Sequence, residues 1–103
     1  MFFFKSSTDC SAADVRAAID DPNAVILDCR SHGEAASGVV RGAVVKDWLS
    51  GGLHQSIGSM DKSKSYYLYC RSGNRSNQAT QFMRSQGFDK VFNAGSVGAL
   101  INL

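Results

Sequence analysis

Cys70 stands where an apolar run ends and a polar turn begins, in the stretch Tyr-Cys-Arg-Ser-Gly-Asn-Arg-Ser that runs from Tyr69 to Ser76. A cysteine does its chemistry as a thiolate, and three features of its neighbours favour that form. The helix predicted to begin near Ser76 turns its unpaired N–H groups and the positive end of its dipole back toward the loop. A tight turn through Ser72, Gly73 and Asn74 can aim successive amides inward as an anion nest, with Gly73 free to take the backbone angles required. Arg71 and Arg75 add permanent positive charge. Together they should pull the Cys70 pKa below the free value of about 8.5. The same set, Arg71 through Ser76, would bind an anionic substrate and stabilise charge on whatever Cys70 carries. Arg71 directly follows the nucleophile and is placed to meet the incoming anion. Arg75 precedes the helix and is placed to fold back over the ring or to pair with an acid such as Asp28 or Glu34.

The other reactive side chains read as structural. Asp28 and Arg30 close a buried run and should form ion pairs or hydrogen bonds that hold the loop, because buried charges are normally paired. Glu34 is expected to pair with an arginine. Cys10 and Cys29 have neither a glycine turn nor flanking arginines and read as ordinary thiols of a packed interior. His32 and His54 have no partner at ligand spacing and are expected at the surface. Trp48 is expected in the core.

The elements that would carry these residues alternate in type. Ser11 and Asp14 stand at capping-box spacing ahead of a helix through Ala12–Asp20, with Pro22 beyond its end. Ala24 to Leu27 is a continuous apolar run, the pattern of a strand buried on both faces. The stretch 31–45 reads as a loop or short helix leading to a short strand near Ala43 to Val45. A weak helix is expected over 46–57, where Gly51 and Gly52 lower the propensity. Ser65 to Cys70 is an aromatic-rich strand. The stretch 76–87 is a helix with Ala79, Phe82 and Met83 on its apolar face and Gly87 as its stop. Lys90 to Gly95 is a last strand, and the final eight residues suit a short helix. Phe2 to Phe4 suit a first edge strand. Such alternation argues for an α/β domain on a mostly parallel sheet, where ligands bind outside the carboxyl ends of the strands. Cys70 falls at such an end.

Composition bounds the rest. The chain of 103 residues suits a single domain over 1–103, with 44% hydrophobic and 19% charged residues. A formal charge of +2 argues against nucleic acid or a membrane surface as partner. The three cysteines, widely spaced and odd in number, make a poor disulfide framework and contain no CxxC pair, so neither a metal nor a cofactor is expected. A reducing, cytoplasmic setting follows, or a periplasmic one if a leader preceded the chain.

The segment from Tyr69 to Ser76 resembles the active-site loop of the rhodanese, or thiosulfate sulfurtransferase, family. The segment Val25 to Val45 is similar to that family's upstream signature through Asp28, Arg30, Glu34, Gly38, Gly42 and Ala43, and Gly87 to Leu100 to its closing strand and glycine turn. The chain differs at Val39–Arg41, where the family usually carries His-Ile, and at Ala99 and Leu100, where it often carries tryptophan. The resemblance implies a sheet of about five mostly parallel strands flanked by helices. It implies that Cys70 takes a sulfane sulfur from a small anionic donor such as thiosulfate, becomes a persulfide, and passes the sulfur to cyanide, a thiol or a protein acceptor. A monomer or weak dimer is expected.

Two other readings stay open. Asp28-Cys29-Arg30 also resembles the cell-division type of dual-specificity phosphatase, and related folds host arsenate reductases. Those phosphatases place five residues between cysteine and arginine, whereas four, Arg71 to Asn74, separate Cys70 from Arg75. A non-catalytic binding module is the third reading, against which the presence of Cys70 argues.

Overall fold

The computed structural model describes residues 8–103, so the edge strand expected at Phe2 to Phe4 lies outside the described residues. The capping box forms: the Asp14 amide donates to Ser11 Oγ at 3.1 Å and the Ser11 amide to Asp14 Oδ2 at 2.9 Å. It opens α1 (Ala12–Ile19), which buries Val15 and Ala18. Then follow β1 (Ala24–Asp28), α2 (His32–Ala35), β2 (Val44–Val45) and α3 (Gly52–Ser56), which runs into a short 3₁₀ turn. The chain continues through β3 (Ser65–Cys70), α4 (Asn74–Ser85), β4 (Val91–Ser96) and α5 (Val97–Leu100).

Among the described residues the strands form one four-stranded parallel sheet in the order β2-β1-β3-β4. Helices cover both faces, which is why the central strands read as apolar runs. Ile26 and Tyr69 pack with Val15, Ala18 and Leu100 on one side. Leu27, Cys29, Leu68 and Cys70 pack with Leu53, Ala79 and Met83 on the other. The alternation along β1 and β3 therefore sends Asp28 and Tyr69 to one face, Cys29 and Cys70 to the other.

Helix α4 begins at Asn74, two residues before the expected start. Gly73 caps it with φ of +99°, a conformation that L side chains rarely adopt. A Cβ on Gly73 would also stand 3.4 Å from Gly95 Cα. Gly95 sits just beyond a register shift between β3 and β4, where Leu68 pairs with Asn93 but Tyr69 pairs with Gly95. Two glycines back to back thus let the loop lie close against β4.

Candidate active site

With Gly73 at the cap, Ser76 is the third residue of α4, and its amide is one of the orphan donors of a helix start. Gly73 has no side chain to satisfy that donor. The Cys70 sulfur takes its place: Ser76 N lies 3.5 Å from Sγ, Ser76 Oγ also 3.5 Å, and Gly73 N 3.0 Å. The cysteine therefore does the work of a capping acceptor, and a negative charge there complements the helix dipole. Burial alone pushes the Cys70 thiol up. The Ser76 hydroxyl and the amides of Ser76, Gly73 and Ser72 outweigh it, so the net displacement is downward.

The other two thiols move the opposite way. Burial, then Asp14 and Asp9, push Cys10 up to about 11. Burial, then the neighbouring Cys70, push Cys29 up further. Of the three cysteines only Cys70 is displaced toward the thiolate.

The donor cradle is braced from β4. Asn93 is 1% exposed, and its Oδ1 accepts the Gly95 amide at 3.1 Å and stands 2.7 Å from Ser76 Oγ, where it competes with Sγ for the one hydroxyl proton. Its Nδ2 donates to the Gly73 carbonyl at 3.2 Å. One buried amide thus fixes both the hydroxyl and the cap of α4. Sequence reasoning passed over Asn93; a lone asparagine inside the apolar run of β4 was the available signal, since a buried polar group needs partners.

Arg75 is committed elsewhere than to the ring. Its Nη1 and Nη2 reach Glu34 Oε1 at 2.6 Å and Oε2 at 2.9 Å, a bidentate clamp between α4 and α2. Glu34 also closes a capping box on Ser31. Arg75, then the Ser31 amide, hold its carboxyl down at about 2. The positive pull expected from Arg75 on the sulfur is thus largely spent on Glu34, and the hydrogen bonds around Sγ carry the thiolate. Arg71 and Ser72 are exposed, as is Asn74 at the first position of α4. Arg71 lines an open depression of about 270 Å³ with Arg30, Glu34, Ser37 and Val97.

Behind the loop lies a second network. Arg30 Nη2 meets Asp28 Oδ2 at 2.7 Å and the Gly38 carbonyl at 2.7 Å, and Nε meets Asp28 Oδ1 at 3.0 Å. Tyr69 donates its hydroxyl to Asp28 Oδ2 at 2.9 Å and accepts the Val40 amide at 2.9 Å. Tyr69, missed as an aromatic strand residue, ties β3 to both the Asp-x-Arg pair and the 38–42 turn. Burial pushes its phenol up to about 12, so it stays a donor. Asp28, Arg30 and Glu34 are therefore brought to one side of the loop, tied to Tyr69, the 38–42 turn and Arg75.

Trp48 is half-buried and packs against the core cluster that holds Leu53 and Met83. It stacks on exposed His54 at 4.7 Å and donates its indole N–H to Gln78 at 2.9 Å. Its ring also lies 5.6 Å from that of Phe82 on α4. Among the described residues no cluster of three or more His, Cys, Asp or Glu is placed to hold a metal, and no helix is long and apolar enough to cross a membrane.

Comparison with known proteins decides the family. The model of the rhodanese-like domain matches residues 11–96. The chain belongs to the rhodanese family. Among curated relatives, a tRNA uridine(34) hydroxylase of Cronobacter sakazakii is 38% identical over 85 residues, covering 79% of this chain and 24% of the relative. The Agrobacterium fabrum protein of the same name is 38% identical over 90 residues, covering 77% and 26%. This rhodanese domain thus spans about a quarter of the length of those relatives. Among solved structures, a human single-domain sulfurtransferase superposes with a TM-score of 0.70 at 26% identity, over 89% of this chain and 92% of its own. A single-domain sulfurtransferase of Saccharomyces cerevisiae shares the fold with a TM-score of 0.76 at 17% identity, over 95% and 91%.

Proposed function

We propose that this rhodanese domain is a sulfurtransferase that carries a sulfane sulfur as a persulfide on Cys70. The Cys70 thiolate attacks the sulfane sulfur of thiosulfate or a related anionic donor. The donor S–S bond breaks and sulfite leaves with its electron pair. An acceptor, cyanide or a thiol, then attacks the terminal sulfur, and Cys70 departs as the thiolate. The hydrogen bonds to Sγ favour the thiolate as nucleophile, so this reading assigns no separate general base. The observation that carries this reading is the set of donors converging on Sγ from Gly73 and Ser76. Such a set suits an anion at Sγ or one bond beyond it. Arg71, exposed beside the loop, is assigned to donor capture.

The four-residue spacing to Arg75 argues against phosphoryl chemistry. A phosphoryl group in flight needs donors around three equatorial oxygens, while a persulfide needs only one sulfur held. Steady-state assay of thiocyanate formation from thiosulfate and cyanide, beside hydrolysis of an aryl phosphate, tests the choice. Sulfur transfer without phosphatase turnover is expected. Efficient phosphate hydrolysis by the unaltered protein would overturn it. The curated relatives favour a second reading, in which this domain serves an enzyme acting on tRNA uridine. Mass analysis of tRNA nucleosides after incubation with the protein separates the two.

A further inference from the structure

Cys29 is a buried nucleophile that the sulfur-transfer cycle leaves unused, and its position relative to Cys70 is fixed by the sheet. The parallel ladder pairs Asp28 with Tyr69, and the Cys29 amide extends it by donating to the Tyr69 carbonyl at 2.8 Å. The next rung therefore sets Cys29 beside Cys70. Both side chains lie on the face that packs against α3 and α4, in one apolar cluster, and both residues are 0% exposed. The Cys29 carbonyl is held in turn by the Trp48 amide at 3.1 Å, so the rung is anchored on both sides. Adjacent strands run about 4.8 Å apart, inside the Cα separation of about 4.4–6.8 Å that a disulfide requires.

We propose that Cys29 and Cys70 are a dithiol pair, in which Cys29 discharges a Cys70 persulfide that meets no acceptor and closes a Cys29–Cys70 disulfide. The proposal rests on the persulfide reading for its first step. The amides of Gly73 and Ser76 meet Sγ from the α4 side, whereas Cys29 stands one rung away across the sheet. Cys29 therefore reaches the inner sulfur, Sγ of Cys70. The bond from Sγ to the terminal sulfur breaks, and that sulfur leaves as hydrosulfide with the electron pair. The bond from Cys29 to Cys70 forms, and the Cys29 proton ends on the departing sulfide. Cys29 is oxidised and the sulfane sulfur is reduced, so no outside oxidant is consumed. A reducing thiol must then reopen the pair.

Electrostatics gate the step. Burial, then the charge of Cys70, keeps Cys29 protonated while Cys70 is a thiolate. Loading moves that charge one bond outward and relieves the second of these two causes. A disulfide between adjacent strands is strained and correspondingly easy to reduce, which suits a reversible parking state.

Wild type, Cys29→Ala and Cys29→Val are loaded with thiosulfate, freed of donor and incubated without acceptor. Sulfide release and non-reducing intact mass are followed, then peptides are mapped. Wild type should lose the added sulfur, release sulfide in step and yield a linked Cys29–Cys70 peptide. Whichever Cys29 variant folds should keep the added sulfur and release no sulfide. Equal discharge in wild type and variants, or linkage through Cys10, would overturn the proposal. If nothing loads on any protein, the sulfurtransferase reading fails and takes the persulfide step with it. The pair is then tested by stoichiometric hydrogen peroxide, which takes two hydrogens from the thiols and becomes two waters. A linked Cys29–Cys70 peptide supports the dithiol, and a lasting oxyacid on Cys70 of wild type refutes it.

Discussion

Replacing Glu34 with glutamine removes one charge from the clamp between α2 and α4 while sparing the local cap. Glu34 Oε1 takes both the Ser31 amide at 3.1 Å and Arg75 Nη1 at 2.6 Å. A glutamine oxygen can keep both, as in an ordinary capping box. Its amide then faces Arg75 Nη2, donor against donor, where Oε2 now accepts at 2.9 Å. The carboxyl is held near 2 instead of about 4.5, and at about 1.4 kcal/mol per pKa unit the ceiling is about 3.5 kcal/mol. The side chains of Arg75 and Glu34 are 21% and 32% exposed. Solvent screening, and the share owed to Ser31 that glutamine keeps, reduce the loss to about 1–2 kcal/mol. For a domain of this size that lowers Tm by about 5–15 °C. A depressed carboxylate pKa stabilises above its unfolded value, about 4.3, and that stability drains away as pH falls toward 2. Urea unfolding of wild type and Glu34→Gln across pH should show a full difference near neutrality that shrinks below about pH 4.5. A neutral-pH difference below about 0.5 kcal/mol, the range of an exposed pair, or one undiminished near pH 3, would refute the clamp.

Ser76→Ala removes the hydroxyl beside Sγ, so the pH profile of Cys70 alkylation should move to higher pH while Cys10 and Cys29 stay slow; an unmoved profile would show that the amides suffice. Tyr69→Phe strands the buried Val40 amide and takes one donor from Asp28. Its cost should be about 1–3 kcal/mol in urea unfolding, and a change within about 0.5 kcal/mol, the surface-substitution range, would mean the network relaxes without it. Arg71→Ala should raise KM for thiosulfate several-fold with kcat little altered, whereas an equal fall in both kcat and kcat/KM would place Arg71 in the transition state instead.

The parts of the site legible in the sequence were those written in short spans. The Ser11–Asp14 box, the apolar run into Asp28 and the strand-glycine-helix junction at Cys70 each depend on residues a few positions apart. Read from the sequence, α4 starts late because the left-handed turn at Gly73 is held by Asn93, whose Nδ2 donates to the Gly73 carbonyl, a partner only the tertiary fold supplies. Tyr69 and Asn93 escape a sequence reading for the same reason: the partners of Tyr69 lie 29 and 41 positions away, and those of Asn93 include Ser76 and Gly73, 17 and 20 away. The sequence offers Arg75 two roles, over the ring or paired with an acid such as Asp28 or Glu34, and the pair with Glu34, 41 positions upstream, is the one that forms. The fold class was legible from alternation, and four strands are described where about five were expected from the family pattern.

The central claim is that Cys70 carries the transferred sulfur. Intact-mass spectrometry of wild type and Cys70→Ser after brief thiosulfate treatment, before and after cyanide, tests it most directly. The account expects one added sulfur on wild type, mapped to Cys70 and removed by cyanide, and none on Cys70→Ser. An adduct that persists in Cys70→Ser, or that maps to Cys10 or Cys29, would contradict it.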